Sequence, residues 1–101
     1  MYELREHVQR RFEPNLEDGL FLIYDAKNDE FRTGGEVVRD IVDGIAEGKS
    51  LDEIEQQLVV ERDIERRNAE ATVREVCDRF ESAGFLRRLD PDGRATPNDA
   101  R

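Results

Sequence analysis

The sequence holds one histidine, His7, and one cysteine, Cys77. A structural or catalytic zinc site needs three or four His, Cys or carboxylate ligands. A thiol nucleophile needs a base held beside it. Cys77 falls on an apolar helical stripe, so the spacing predicts a buried structural thiol. His7 sits in the N-terminal segment with no partner to orient it, and is read as an exposed residue rather than a catalytic base. Asp25, Lys27 and Asp29 alternate like the opening of a calcium loop, but Lys27 is the wrong residue type and Glu30 stands where the loop needs glycine. A hairpin turn is the simpler reading. Gly34-Gly35 lacks the surroundings of a phosphate loop and reads as a strand-to-helix joint. Asp90-Pro91-Asp92-Gly93 reads as a turn. No nucleophile, base and orienting group assemble, so the expectation is a protein that is not an enzyme and needs no metal or cofactor.

The composition narrows the partners. With 101 residues and 11.7 kDa the chain is one small domain. Hydrophobic residues make up 37% and charged residues 41%, so the core is lean and the surface ionic. The longest apolar run, Leu20 to Tyr24, is far short of the roughly 20 residues that span a bilayer. No secretory leader opens the chain, and a lone cysteine suits a reducing cytoplasm. The net charge of -9 disfavours nucleic acid, whose phosphates demand a basic surface. Fourteen Arg stand against two Lys, Lys27 and Lys49, a skew read as background.

The elements follow from periodicity. Leu20-Phe21-Leu22-Ile23-Tyr24 predicts a central strand covered on both faces. Asp18-Gly19 precedes it as a turn, and residues 25–29 turn the chain into a second, half-buried strand, Glu30 to Thr33. Val8, Arg10 and Phe12 alternate as a first strand stopped by Pro14, although Leu4 and Val8 also permit a helix. Val37, Val38, Ile41, Val42 and Ile45 form a helical stripe, interrupted by Gly44 and capped by Gly48. Ser50-Leu51-Asp52-Glu53 is a capping box that opens a short helix burying Leu51, Ile54 and Leu58. Ala69, Val73, Val76, Cys77 and Phe80 mark a third helix. Gly84 ends it, and Phe85 and Leu86 pack back. Residues 1–89 thus make one domain, and residues 90–101, without large apolar side chains, a disordered tail.

A small sheet with three helices on one side leaves a strand edge open. The strand at Glu30 to Thr33 is the candidate edge, able to take an extended peptide by main-chain hydrogen bonding. The third helix would wall the groove. The competing reading is an edge merely protected by the charges of Asp29, Glu30 and Arg32.

Over about residues 12–89 the order and spacing of these pieces resemble the PqqD-like family, the leader-peptide recognition elements of ribosomally made, post-translationally modified peptides. The run Leu20 to Asp25, the Phe31 strand, Ile45-Ala46-Glu47-Gly48 and Gly48-Lys49-Ser50-Leu51-Asp52-Glu53-Ile54 carry the resemblance. So does the closing helix from Val73 through Val76-Cys77 and Phe80 to Gly84-Phe85-Leu86. Two positions depart: Thr33-Gly34-Gly35 replaces the usual Leu-Asn pair, and Val76 a common aromatic. The resemblance implies an α+β, winged-helix-like fold, a three-stranded antiparallel sheet followed by three helices. It implies a cytoplasmic, non-catalytic peptide chaperone with no cofactor. Its partners would be a precursor leader peptide and a modifying enzyme: a radical maturase, a cyclodehydratase or a leader peptidase. Carried onto this chain, the leader lies along Asp29, Glu30, Phe31, Arg32 and Thr33 and against Val73, Arg74, Cys77 and Glu81. The opposite helix flank, Thr72, Val76 and Arg79, stays open. Arg74 would pair with an acidic leader residue, and its alternative role is an i,i+4 partner of Glu70 or Asp78.

The runner-up is a winged-helix nucleic-acid-binding regulator that reads with its third helix. Against it stand the net charge and the mixed signs along residues 65–81. A subunit that docks on an enzyme without touching its peptide is a third possibility.

Overall fold

The computed structural model describes residues 2–16 and 19–89; Asp18 and the expected tail lie outside them. The chain runs β1 (Tyr2–Leu4), β2 (Val8–Glu13), β3 (Leu20–Asp25), β4 (Glu30–Gly34), α1 (Glu36–Ala46), α2 (Leu51–Arg62), α3 (Arg66–Ser82) and β5 (Leu86–Arg88). This is an α+β fold in which a three-stranded antiparallel sheet, β2-β3-β4, is followed by three helices. A second, two-stranded sheet, β1-β5, ties the two ends of the described chain together, with Leu4 opposite Leu86. The sequence reading did not anticipate that sheet. The N-terminal segment through Val8 is strand and turn, so the helical alternative does not hold.

The helix ends are set locally. Ser50 Oγ accepts from the Glu53 N–H at 3.1 Å, and Glu53 Oε1 accepts from the Ser50 N–H at 3.3 Å. Both halves of the capping box are therefore made. At the end of α3 the Phe85 N–H donates to the Phe80 carbonyl and the Gly84 N–H to the Glu81 carbonyl. Those two bonds are a Schellman motif, with Gly84 at a φ of +87°. The motif delivers Phe85 edge-on to Phe80, ring centroids 5.8 Å apart. The end of α1 repeats it: Lys49 donates to the Gly44 carbonyl, Gly48 to the Ile45 carbonyl.

The core lies between the inner sheet face and the helices. Phe21 and Ile23 of β3 meet Ile41, Val42 and Ile45 of α1, Ile54 and Leu58 of α2, and Ala69, Val73, Val76, Cys77 and Phe80 of α3. Each fully buried large side chain contributes about 1.5–3 kcal/mol. Gly44 has a packing reason: a Cβ there would lie 2.7 Å from Ile54 Cγ1, so its absence lets α1 and α2 close together. An ion network reinforces that contact, with Arg62 Nε 2.7 Å from Asp40 Oδ2 and Arg62 Nη1 2.8 Å from Glu36 Oε2.

The central strand corrects one expectation. Phe21, Ile23 and Asp25 are buried, but Leu20, Leu22 and Tyr24 face outward and are only partly covered, Tyr24 remaining 38% exposed. The buried residues of β3 pack with those of all three helices, so among the described residues its other side has only the neighbouring strands for cover. No helix among the described residues is long and apolar enough to cross a membrane.

Candidate functional site

Asp25 builds the turn that presents β4. Its carboxylate accepts from the backbone N–H of Lys27 at 3.0 Å and of Asn28 at 3.3 Å, and from Asn28 Nδ2 at 2.8 Å. The Asn28 side-chain bond, opposed by burial, holds the Asp25 carboxyl below its usual range. The carboxylate that looked like a calcium ligand is thus committed to its own turn. Asp29 closes the turn at a φ of +54° and accepts from the Tyr24 hydroxyl at 3.3 Å. It precedes the strand, which runs from Glu30 rather than from Asp29.

Among the described residues, β4 pairs with β3 on one side only. Glu30 lies opposite Asp25, Phe31 opposite Tyr24, Arg32 opposite Ile23 and Thr33 opposite Leu22. Because faces alternate, Phe31 and Thr33 share the outer face with Tyr24 and Leu22, while Arg32 points to the helix side. Phe31 is 60% exposed and is not a core residue. Arg32 reaches inward, its guanidinium 6.0 Å from the Phe85 ring centroid, and its Nη1 also donates to Glu30 Oε2 at 3.1 Å and to the Phe31 carbonyl at 2.7 Å. The expected half-buried strand is therefore exposed at Glu30, Phe31, Arg32 and Thr33 alike.

Among the described residues the sheet has a second free edge, β2. It is roofed by α1: Arg10 Nε lies 2.8 Å from Asp43 Oδ1, and the Arg39 guanidinium stacks 4.3 Å over the Phe12 ring. β4 carries the large uncovered side chain, Phe31, and is the more accessible edge.

Most of the helix residues expected from sequence line a cleft that the expected strand residues do not join. Val73 and Cys77 belong to the core, and together with Arg74 they line a cleft of about 410 Å³. Its other walls are Tyr2 of β1, Leu51 and Glu55 of α2, and Arg88 next to Leu89; its lining contains no residue of β4. Glu81 turns the same way, 3.1 Å from Arg88 Nη2. Arg74 is exposed there, beside Glu70 and Asp78. Burial, and then the nearby Glu70, raise the Glu55 carboxyl above its usual range. Burial also pushes the Cys77 thiol up to about 12, so at neutral pH it is protonated and a poor nucleophile. The opposite flank of α3 holds Thr72, half-buried, Val76, buried, and Arg79, exposed and 2.9 Å from Glu75.

The fold is shared with two proteins solved bound to leader peptides. One is a lasso peptide synthetase B1 complexed with the leader peptide, at a TM-score of 0.71 and 20% identity over 84% of this chain and 95% of that one. The other is TbiB1 in complex with the TbiA(beta) leader peptide, at 0.70 and 17% identity over 83% and 93%. No protein-family model matches the sequence, and a sequence search of curated proteins finds no match either.

Two features of this surface escaped the sequence reading. The outer face of the sheet, with Leu22, Tyr24 and Phe31, was hidden by the assumption of a doubly covered strand. The β1-β5 pairing that occupies one flank of α3 spans nearly the whole chain, and local patterns of three residues give no sign of it.

Proposed function

We propose that this chain is a non-catalytic recognition protein of a pathway that modifies ribosomally made peptides. It takes the leader of a precursor as an added strand along β4 and presents it to a modifying enzyme. Holding both on one platform raises effective concentration and fixes register. The observation that carries this reading is the unpaired, uncovered β4 edge on a fold shared with two leader-peptide complexes. The modifying enzyme in this reading is a radical maturase, a cyclodehydratase or a leader peptidase.

In this reading the strand half of the site is Glu30, Phe31, Arg32 and Thr33, with Asp29 holding the turn. For the helix half, the flank with Val73, Arg74, Cys77 and Glu81 is already turned to α2 and the β1-β5 sheet. The wall facing the peptide is therefore the other flank, Thr72, Val76 and Arg79, which the sequence reading had left open.

The test is a calorimetric titration with the leader of a precursor peptide encoded beside the gene, and a scrambled leader as control. Saturable heat with the true leader alone supports the role. Phe31→Ala should then weaken binding while the circular-dichroism spectrum stays folded, because Phe31 is outside the core. A folded protein that gives no heat with any leader from its gene neighbourhood overturns the reading.

A further inference from the structure

The register of β4 constrains what can lie beside it. Each cross-strand row of the sheet ends on this edge. The outer-face rows are Gln9–Tyr24–Phe31 and Arg11–Leu22–Thr33; the inner-face row between them is Arg10–Ile23–Arg32. An added strand continues every row by one residue, and side chains directly opposite each other are the units of sheet stabilisation. The first outer row ends on a phenyl ring 60% exposed, next to a Tyr24 that is itself only partly covered. The second ends on a β-branched Thr33 beside half-buried Leu22. The inner row ends on a guanidinium. Arg10 at the far end of that row is held by Asp43 of α1, whereas among the described residues Arg32 has only the solvent-exposed Glu30 as its acidic partner. Such an exposed pair is worth little and exchanges readily for a better-placed carboxylate.

From these rows we propose that the segment captured on β4 carries an apolar–acidic–apolar triplet. Its two apolar side chains, aromatic or β-branched, lie against Phe31 and Thr33 on the outer sheet face. Its carboxylate meets Arg32 on the inner face. This rests on the strand-addition reading above and specifies the substrate of that same edge. It also makes Phe31 and Arg32 the specificity-determining residues, rather than Arg74. In the free protein the Arg32 bond to the Phe31 carbonyl covers part of the edge. A peptide main-chain N–H takes over that carbonyl when the strand adds, and frees the guanidinium for the carboxylate.

The full chain is panned against a displayed random-peptide library, with bare support as background, and a selected peptide is then measured by fluorescence anisotropy. Selected peptides should share the triplet. Arg32→Glu should weaken the selected peptide about fivefold or more and change the preferred central residue to Lys or Arg. Phe31→Thr should relax the preference at one apolar position and cost about five- to tenfold. Thr33→Pro, which removes an edge donor, serves as the control for strand addition, with circular dichroism as the check on folding. Peptides that are lost with folded Thr33→Pro, yet keep an acidic centre with Arg32→Glu or never show one, overturn the triplet and leave the edge reading standing. Enriched peptides that bind folded Thr33→Pro as well as wild type overturn the edge reading itself. Enrichment of nothing above background overturns both.

Discussion

At Cys77 burial outweighs chemistry. The side chain is 1% exposed, and burial carries its pKa up to about 12. Iodoacetamide at pH 8 should therefore leave Cys77 unmodified in the native protein and label it at once in urea, as read by mass spectrometry. Linkage gives the sign of the stability effect. The folded pKa lies above the unfolded one, so the contribution is complete below the unfolded value and is lost as pH rises through about 12. Asp25 works in the opposite sense. Its pKa is lowered, first by the Asn28 side chain, so its contribution is present above the ordinary carboxylate range and disappears as pH falls through the depressed value. Urea midpoints of wild type and Asp25→Asn should differ most at pH 7 and converge in acid. Neither Cys77 nor Asp25 is available for the reactions their types suggest. The apolar helical spacing around Cys77 revealed this in advance. For Asp25 the turn composition pointed the right way, but the three hydrogen bonds needed coordinates.

The helices were legible because their signals are local. A capping box, two glycine caps and apolar stripes all act within one or two turns, and each formed as read. Ser50→Ala should cost about 1 kcal/mol in chemical denaturation by removing one half of that box. Gly44 shows the limit of local reasoning. Helix propensity alone makes Gly44→Ala a stabilising change. The added Cβ would stand 2.7 Å from Ile54 Cγ1, so the expected outcome is a loss of about 1–3 kcal/mol. Ile54→Ala removes Cγ1 and with it the clash, so Gly44→Ala should cost less in that background, and a double-mutant cycle on denaturation midpoints would show the coupling. The strands were less legible. Five consecutive apolar residues in β3 look alike whether one face is covered or two, because the pattern records side-chain type and not what stacks above it.

At the scale of the fold, the three helices lie on one side of a three-stranded sheet, and the β1-β5 pair joins the two ends of the described chain. One consequence is uneven protection of the sheet. Amides of β3, paired on both sides, should exchange with deuterium far more slowly than the outward-pointing amides of β4. Adding a leader that binds should slow β4 selectively, and hydrogen-exchange mass spectrometry would read both. Protection appearing instead over Tyr2, Leu51 and Arg74 would move the site to the cleft on the other flank of α3. A second consequence concerns charge. The net charge of -9 spreads over a surface where Arg32 is the cation on the exposed edge strand. Peptide capture should therefore weaken only modestly with added salt, unlike the steep loss shown by a protein that neutralises many phosphates.

By itself the sequence determined the order of β2, β3, β4 and the three helices, the helix ends, most of the buried set and the turn that leads into β4. These depend on contacts within a few residues, or on which residues prefer to leave water, and both are written directly in residue type and spacing. Tertiary structure alone decided which face of β3 stays bare and which flank of α3 is taken by β1-β5. It also decided that Phe31 faces outward while Arg32 reaches Phe85. Those outcomes rest on how separate elements stack and on a pairing between the two ends of the described chain. The cost of bringing such distant segments together is met only by the finished core, so no short window of sequence can record it.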